Sequence, residues 1–184
     1  MNIGVYRKNS NNLSTKASNF AVNGGFEKNK YSISDDALDE GSELGAFRHA
    51  WWQAEITSKF GPLTAWKAGA AHERNPMADL QKMEFDNLAE ADQTADLLNN
   101  IIGREIGMQH GDSSMRGLAN QVLETFYRDG LYTATEYEEG KWRIERKLLS
   151  QDKYEKAKSI FEMIGENGML TKKNNDAYFY SYSD

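Results

Sequence analysis

Apolar positions recur at three- and four-residue steps from residue 43 onward. Leu44, Phe47, Trp51 and Ala54 form one such stripe and predict a helix over 43–60. Gly61-Pro62 ends it and opens the next, since proline suits the first helical turn. That second helix, expected over 62–74, carries Leu63, Trp66 and Ala70 on one side and stops before Asn75-Pro76. A third helical stretch covers 77–107 with a break near Ala91-Asp92; Leu97, Ile101 and Ile102 supply its apolar face, and His110-Gly111 closes it. Asp112 or Ser113 caps a fourth helix to about 128, built on Met115, Leu118, Val122 and Phe126, with Gly130 at its C-terminal end.

The period then changes. Tyr132, Thr133, Thr135 and Tyr137, then Glu139-Gly140, then Trp142 and Ile144 alternating with charges, predict a β-hairpin over 131–147. Ser150 or Asp152 opens a last helix through Ala157, Ile160, Phe161 and Ile164, and the ending YFYSYSD alternates like a strand. Ser34-Asp35-Asp36 starts a short helical piece stopped by Gly41. Residues 1–33 are rich in asparagine with a Gly24-Gly25 pair, and read as a poorly packed arm or linker with one short strand over 3–6. The expected fold is therefore mainly α: a bundle of five or six helices with a small β-hairpin near 131–147, forming a single domain over 34–184.

Composition narrows the function. The 22 Lys+Arg against 28 Asp+Glu give a net charge of −6 with no basic block, which argues against a duplex nucleic-acid binder. There is no cysteine, so disulfides, thiolate metal sites and Cys nucleophiles are excluded; any metal must use His, carboxylate or amide oxygen. The opening MNIGVYRKNSNN has no apolar stretch of the Sec-signal kind, and no run of apolar residues is long enough to span a membrane. A dedicated secretion machine would leave no such trace.

Candidate chemistry sits in three stretches, GAFRHAWWQAE at 45–55, AGAAHERNP at 68–76 and ADLLNNIIGREIG at 95–107. Each is a helix that mixes His, a carboxylate or paired amides into apolar surroundings, so the three together point to one shared polar site. His49 and Gln53 share a face of the first helix, with Arg48 and Glu55 on the neighbouring stripe. His72 follows the small residues of the second, with Glu73 about 100° round from it. Asp96, Asn99 or Asn100, and Gly103 line one side of the third, with Arg104 one turn past Asn100. Two versions of a hydrolytic site follow. In one, His49, His72 and Asp96 bind Mn²⁺, Zn²⁺ or Mg²⁺, Glu73 is a further ligand or activates water, and Arg104 or Arg48 steadies an anionic oxygen. In the other, His72 is a general base held by Glu73 or Asp96, and Arg48, Gln53, Asn99 and Asn100 contact substrate. Glu55 or Glu73 with Asp96 could also cleave glycosides of the peptidoglycan type, if about 5–9 Å apart. The bland reading places Trp51, Trp52 and Trp66 in the core and spends the asparagines on helix ends and loops.

The order His49, then His72-Glu73, then Asp96 is similar to that of HD-type metal-dependent phosphohydrolases, with His-Glu in place of their His-Asp pair. The motifs FRHAxWQA, AHE and DxxNNxxGRxxG, over residues 45–107, resemble uncharacterised helical domains at the C-termini of bacterial polymorphic toxins and type VI-type secreted effectors. That resemblance implies an antibacterial effector made in the bacterial cytoplasm and delivered into a target cell, with a secretion-machine component and a cognate immunity protein as partners. It places His49, His72, Glu73, Asp96, Asn99, Asn100 and Arg104 at the matching positions. The reading from a different class is a non-enzymatic interaction module, an immunity or adaptor protein whose acidic surface docks a basic partner.

Overall fold

A computed structural model describes residues 10–28, 40–73 and 75–171. Among them are six helices: α1 (Leu13–Asn23), α2 (Glu43–Phe60), α3 (Pro62–His72), α4 (Leu88–Gln109), α5 (Met115–Arg128) and α6 (Gln151–Met163). Three short antiparallel strands, β1 (Glu84–Phe85), β2 (Leu131–Glu138) and β3 (Lys141–Lys147), form one sheet in the order β1-β3-β2. The protein is mainly α with a small β-hairpin, as the periodicity predicts. The expected strand over 3–6, the helical piece starting at Ser34 and the C-terminal strand lie outside the described residues.

Helix α2 is the centre of the molecule. Ser42 caps it by accepting a hydrogen bond from the Gly45 amide, and fourteen of its eighteen residues are buried. Trp51 is fully buried, packs against Phe20 with ring centroids 4.8 Å apart, and donates its indole N–H to the Met115 carbonyl at 3.0 Å. Helix α4 crosses α2 closely. A Cβ on Gly103 would overlap the Ala50 carbonyl oxygen, and one on Gly107 would overlap that of Ala54, so only glycine admits this approach.

Three expectations are corrected here. The supposed loose arm is packed over residues 10–28: Asn12 caps α1, and Leu13, Ala17, Phe20, Ala21 and Phe26 join the main core. Asparagine-rich composition hid five apolar residues spaced to bury one helix face and the turn beyond it. The third helical stretch begins only at Leu88, because Asn87 caps it and residues 75–87 form a loop holding the two-residue β1. Trp66, expected in the core, is half exposed, as is Leu63; α3 buries only Ala65 and Gly69, its small-residue side.

The hairpin is anchored on the helices. Asn99 of α4 donates to the Tyr132 carbonyl and accepts from the Tyr132 amide, both at 2.9 Å, while Phe85, Ala91, Ala95, Trp142 and Ile144 form a second apolar cluster beneath the sheet. At the N-terminus of α2, the buried carboxylate of Glu43 meets Lys147 at 3.0 Å and Lys153 at 2.8 Å, joining α2 to β3 and α6. These contacts tie α2 and α4, which carry much of the polar site, to the sheet and to α6.

Candidate functional site

His49 lies in the middle of α2 and is buried. Its ring is surrounded by four polar side chains from three elements. Arg48 Nη2 lies 2.8 Å from Nε2, and Asp96 Oδ2 lies 3.2 Å from the same nitrogen. On the other side, Asn100 Oδ1 lies 3.2 Å from Nδ1, and Glu73 Oε1 is 3.9 Å away. A guanidinium can only donate, so Nε2 accepts from Arg48 and the ring proton sits on Nδ1, from which it is donated to Asn100 Oδ1. Burial, then the Arg48 charge and His72, hold the His49 pKa well below its ordinary value. The imidazole is thus neutral, and its approach to Asp96 is a meeting of two electron-rich atoms rather than an ion pair.

Asp96 and Asn100 are one turn apart on α4 and face His49 together. Glu73 arrives differently. Helix α3 stops at His72, and Glu73 takes an extended backbone, φ −82° and ψ 144°, which turns its side chain out of the helical sequence of directions. Burial pushes its carboxyl up to about 7, while the Asn100 amide and the Arg48 charge oppose that shift. Its Oε1 is buried with no hydrogen-bond partner. One ligating atom each from His49, Glu73 and Asp96 fall within 4.8 Å of one another.

Five of the polar residues expected at the site, Arg48, His49, Glu73, Asp96 and Asn100, converge here, and the others are placed as follows. His72, expected as a metal ligand or base, is exposed; its ring centroid is 5.7 Å from both His49 and Trp52, and it stands outside the three-residue group, where Glu73 takes its place. Asn99 uses both ends of its carboxamide on Tyr132, so it anchors the hairpin. Glu55 faces Lys59, whose Nζ is 3.0 Å from Oε1, and lies near Lys16 of α1, so it is not part of this group. The remaining glycosidase pair, Glu73 with Asp96, brings one oxygen of each carboxylate within 4.8 Å of the other. Gln53 and Arg104 do meet, with Arg104 Nη1 donating to Gln53 Oε1 at 3.1 Å.

A family model for a domain of unknown function, DUF6973, matches residues 9–130. The chain belongs to this family. The DUF6973 match runs from α1 to the end of α5, so it contains every residue of the polar site and excludes the hairpin and α6. No curated protein and no solved structure matches the chain.

Proposed function

We propose that this DUF6973 protein is a hydrolase whose reaction centre is the His49, Glu73 and Asp96 group, and that the group takes a divalent cation. One observation carries the reading: an imidazole and two carboxylates from three separate elements bring ligating atoms within 4.8 Å of one another in a largely buried place. The Arg48 guanidinium offsets part of the cost of drawing two carboxylates out of water beside a neutral ring, and a cation among them would offset more. The nitrogen and oxygen donors suit Zn²⁺, Mn²⁺ or Mg²⁺. Bound there, such an ion would polarise a carbonyl or phosphoryl oxygen and acidify a water. His49 Nε2, once Arg48 withdraws from it, and Asp96 would hold it, and Glu73 would bind it or accept the water's proton. The biological setting, an antibacterial effector paired with an immunity protein, rests on the motif resemblance over residues 45–107.

A metal-free version has its own support in the 2.8 Å contact between Arg48 and His49, which already places a positive charge against Nε2. In that version Glu73, with its raised pKa near 7, exchanges the proton.

Titration calorimetry with Mn²⁺, Zn²⁺ and Mg²⁺ on the wild-type protein separates the two. Uptake of one ion, lost in His49→Ala and in Asp96→Asn, is the expected result; no heat with any of the three leaves only the metal-free version. Expression in a bacterial host tests the enzyme itself. Growth arrest abolished by Asp96→Asn is expected, whereas harmless expression in both cytoplasm and periplasm would overturn the effector reading in favour of an interaction module.

A further inference from the structure

Between α3 and α4, next to the reaction centre, lies a cavity of about 100 Å³ whose wall is Trp66, Pro76, Leu80, Leu97 and Ile101. Arg104 is the one charged residue among its described lining. Asn100 and Gly69 also border it, and Gln53 stands behind Gly69: a Cβ built on that glycine would lie 2.9 Å from Gln53 Nε2 and 3.4 Å from Asn100 Nδ2. Both amide nitrogens belong to buried side chains and close no hydrogen bond, although that of Asn100 lies near enough to Glu73 to lower its pKa. Their orientation is forced. Arg104 requires an acceptor, so Gln53 offers it Oε1 and turns Nε2 the other way; His49 Nδ1–H requires an acceptor, so Asn100 offers it Oδ1 and turns Nδ2 away. One unpartnered NH₂ group, that of Asn100, and the Arg104 guanidinium therefore border the apolar cavity, with the Gln53 amide buried behind Gly69. Buried donors left unsatisfied are costly, and a group rich in acceptors removes that cost.

We infer that this cavity is the recognition pocket for the substrate, and that it takes a phosphate ester carrying a flat apolar group. The phosphoryl oxygens meet Asn100 Nδ2 and Arg104, and the flat group lies on the half-exposed face of Trp66. The guanidinium fork and the amide together offer more N–H donors than the two oxygens of a carboxylate take up, which favours a tetrahedral oxyanion. The assignment names the substrate class for the hydrolase proposed above and rests on that reading for its purpose, though binding does not require a metal.

Calorimetric titration of the folded full chain with phenyl phosphate, inorganic phosphate and benzoate, in EDTA, tests the pocket apart from the metal centre. Phenyl phosphate should bind saturably and at least tenfold tighter than either of the others. Arg104→Met should weaken it at least tenfold, and Trp66→Ala should bring it down to the affinity of inorganic phosphate. Gly69→Ala, which presses a methyl onto the donor pair without changing any charge, should also weaken it; thermal melts confirm that each variant is folded. Absence of saturable phenyl phosphate binding, equal binding of benzoate, or affinity unchanged in both Arg104→Met and Gly69→Ala would overturn the assignment. Failure of the metal titration with this binding intact would instead count against the metal centre alone.

Discussion

Glu55 is a carboxylate enclosed on α2 with its side chain wholly out of solvent. Burial raises its pKa above the ordinary 4.5, and Lys59, then Lys16, counteract only part of that rise. The folded form therefore holds the Glu55 proton more tightly than the unfolded chain does, so this residue's contribution to stability falls as pH climbs from about 4.5 through the raised value. Glu55→Gln should flatten the decline. Urea unfolding at pH 4.5 and pH 7 should show the variant gaining on wild type at the higher pH, and parallel behaviour at both would refute the argument. The same scale explains the site. His72 and Glu73 are neighbours, yet only Glu73 joins His49 and Asp96, because the helix ends between them and the 100° step ceases to apply. Residue types marked this site out in advance; the end of a helix decided which of two adjacent side chains enters it.

At the level of elements, the hairpin illustrates how one polar side chain can fix a docking geometry. Its own alternation makes β2 and β3, but their placement on α4 depends on Asn99, which satisfies both backbone groups of Tyr132. Asn99→Ala leaves that N–H and C=O without partners and should cost about 1–3 kcal/mol. Amide hydrogen exchange should then accelerate in 131–147 while α5 keeps its protection; unchanged exchange in the hairpin would show that the second apolar cluster alone holds it. Helices α3 and α4 were harder to read than α5 for a physical reason. Helix α5 has one buried stripe and an exposed remainder, which periodicity detects. Helix α3 buries its smallest residues and exposes Leu63 and Trp66, so hydrophobicity points the wrong way there. The exposed tryptophan makes sense only beside the cavity it lines.

On the scale of the whole molecule, the core is closed by a segment remote in sequence from the elements it seals. Leu13 and Phe20 of α1, with Phe26, are inserted among residues of α2, α5 and α6; Phe20 meets Trp51 and Phe161, and Phe26 stacks on Phe47 with centroids 4.5 Å apart. Each such side chain is worth about 2–5 kcal/mol against a total of about 5–15 kcal/mol, so deletion of residues 1–28 should abolish cooperative thermal unfolding. A sharp calorimetric transition in the truncated protein would contradict this. By itself the sequence determined the mainly α class, the hairpin, most helix ends and the three stretches that hold the polar site, because each of these follows from local period, capping and residue chemistry. Tertiary structure alone decided that residues 10–28 are core, that Asn99 serves the hairpin while Asn100 serves His49, and that Glu73 replaces His72. It also decided that Gly69 lies against two buried amides at the edge of a cavity. Those outcomes depend on which elements face each other and how closely, and no periodicity within a single segment carries that information.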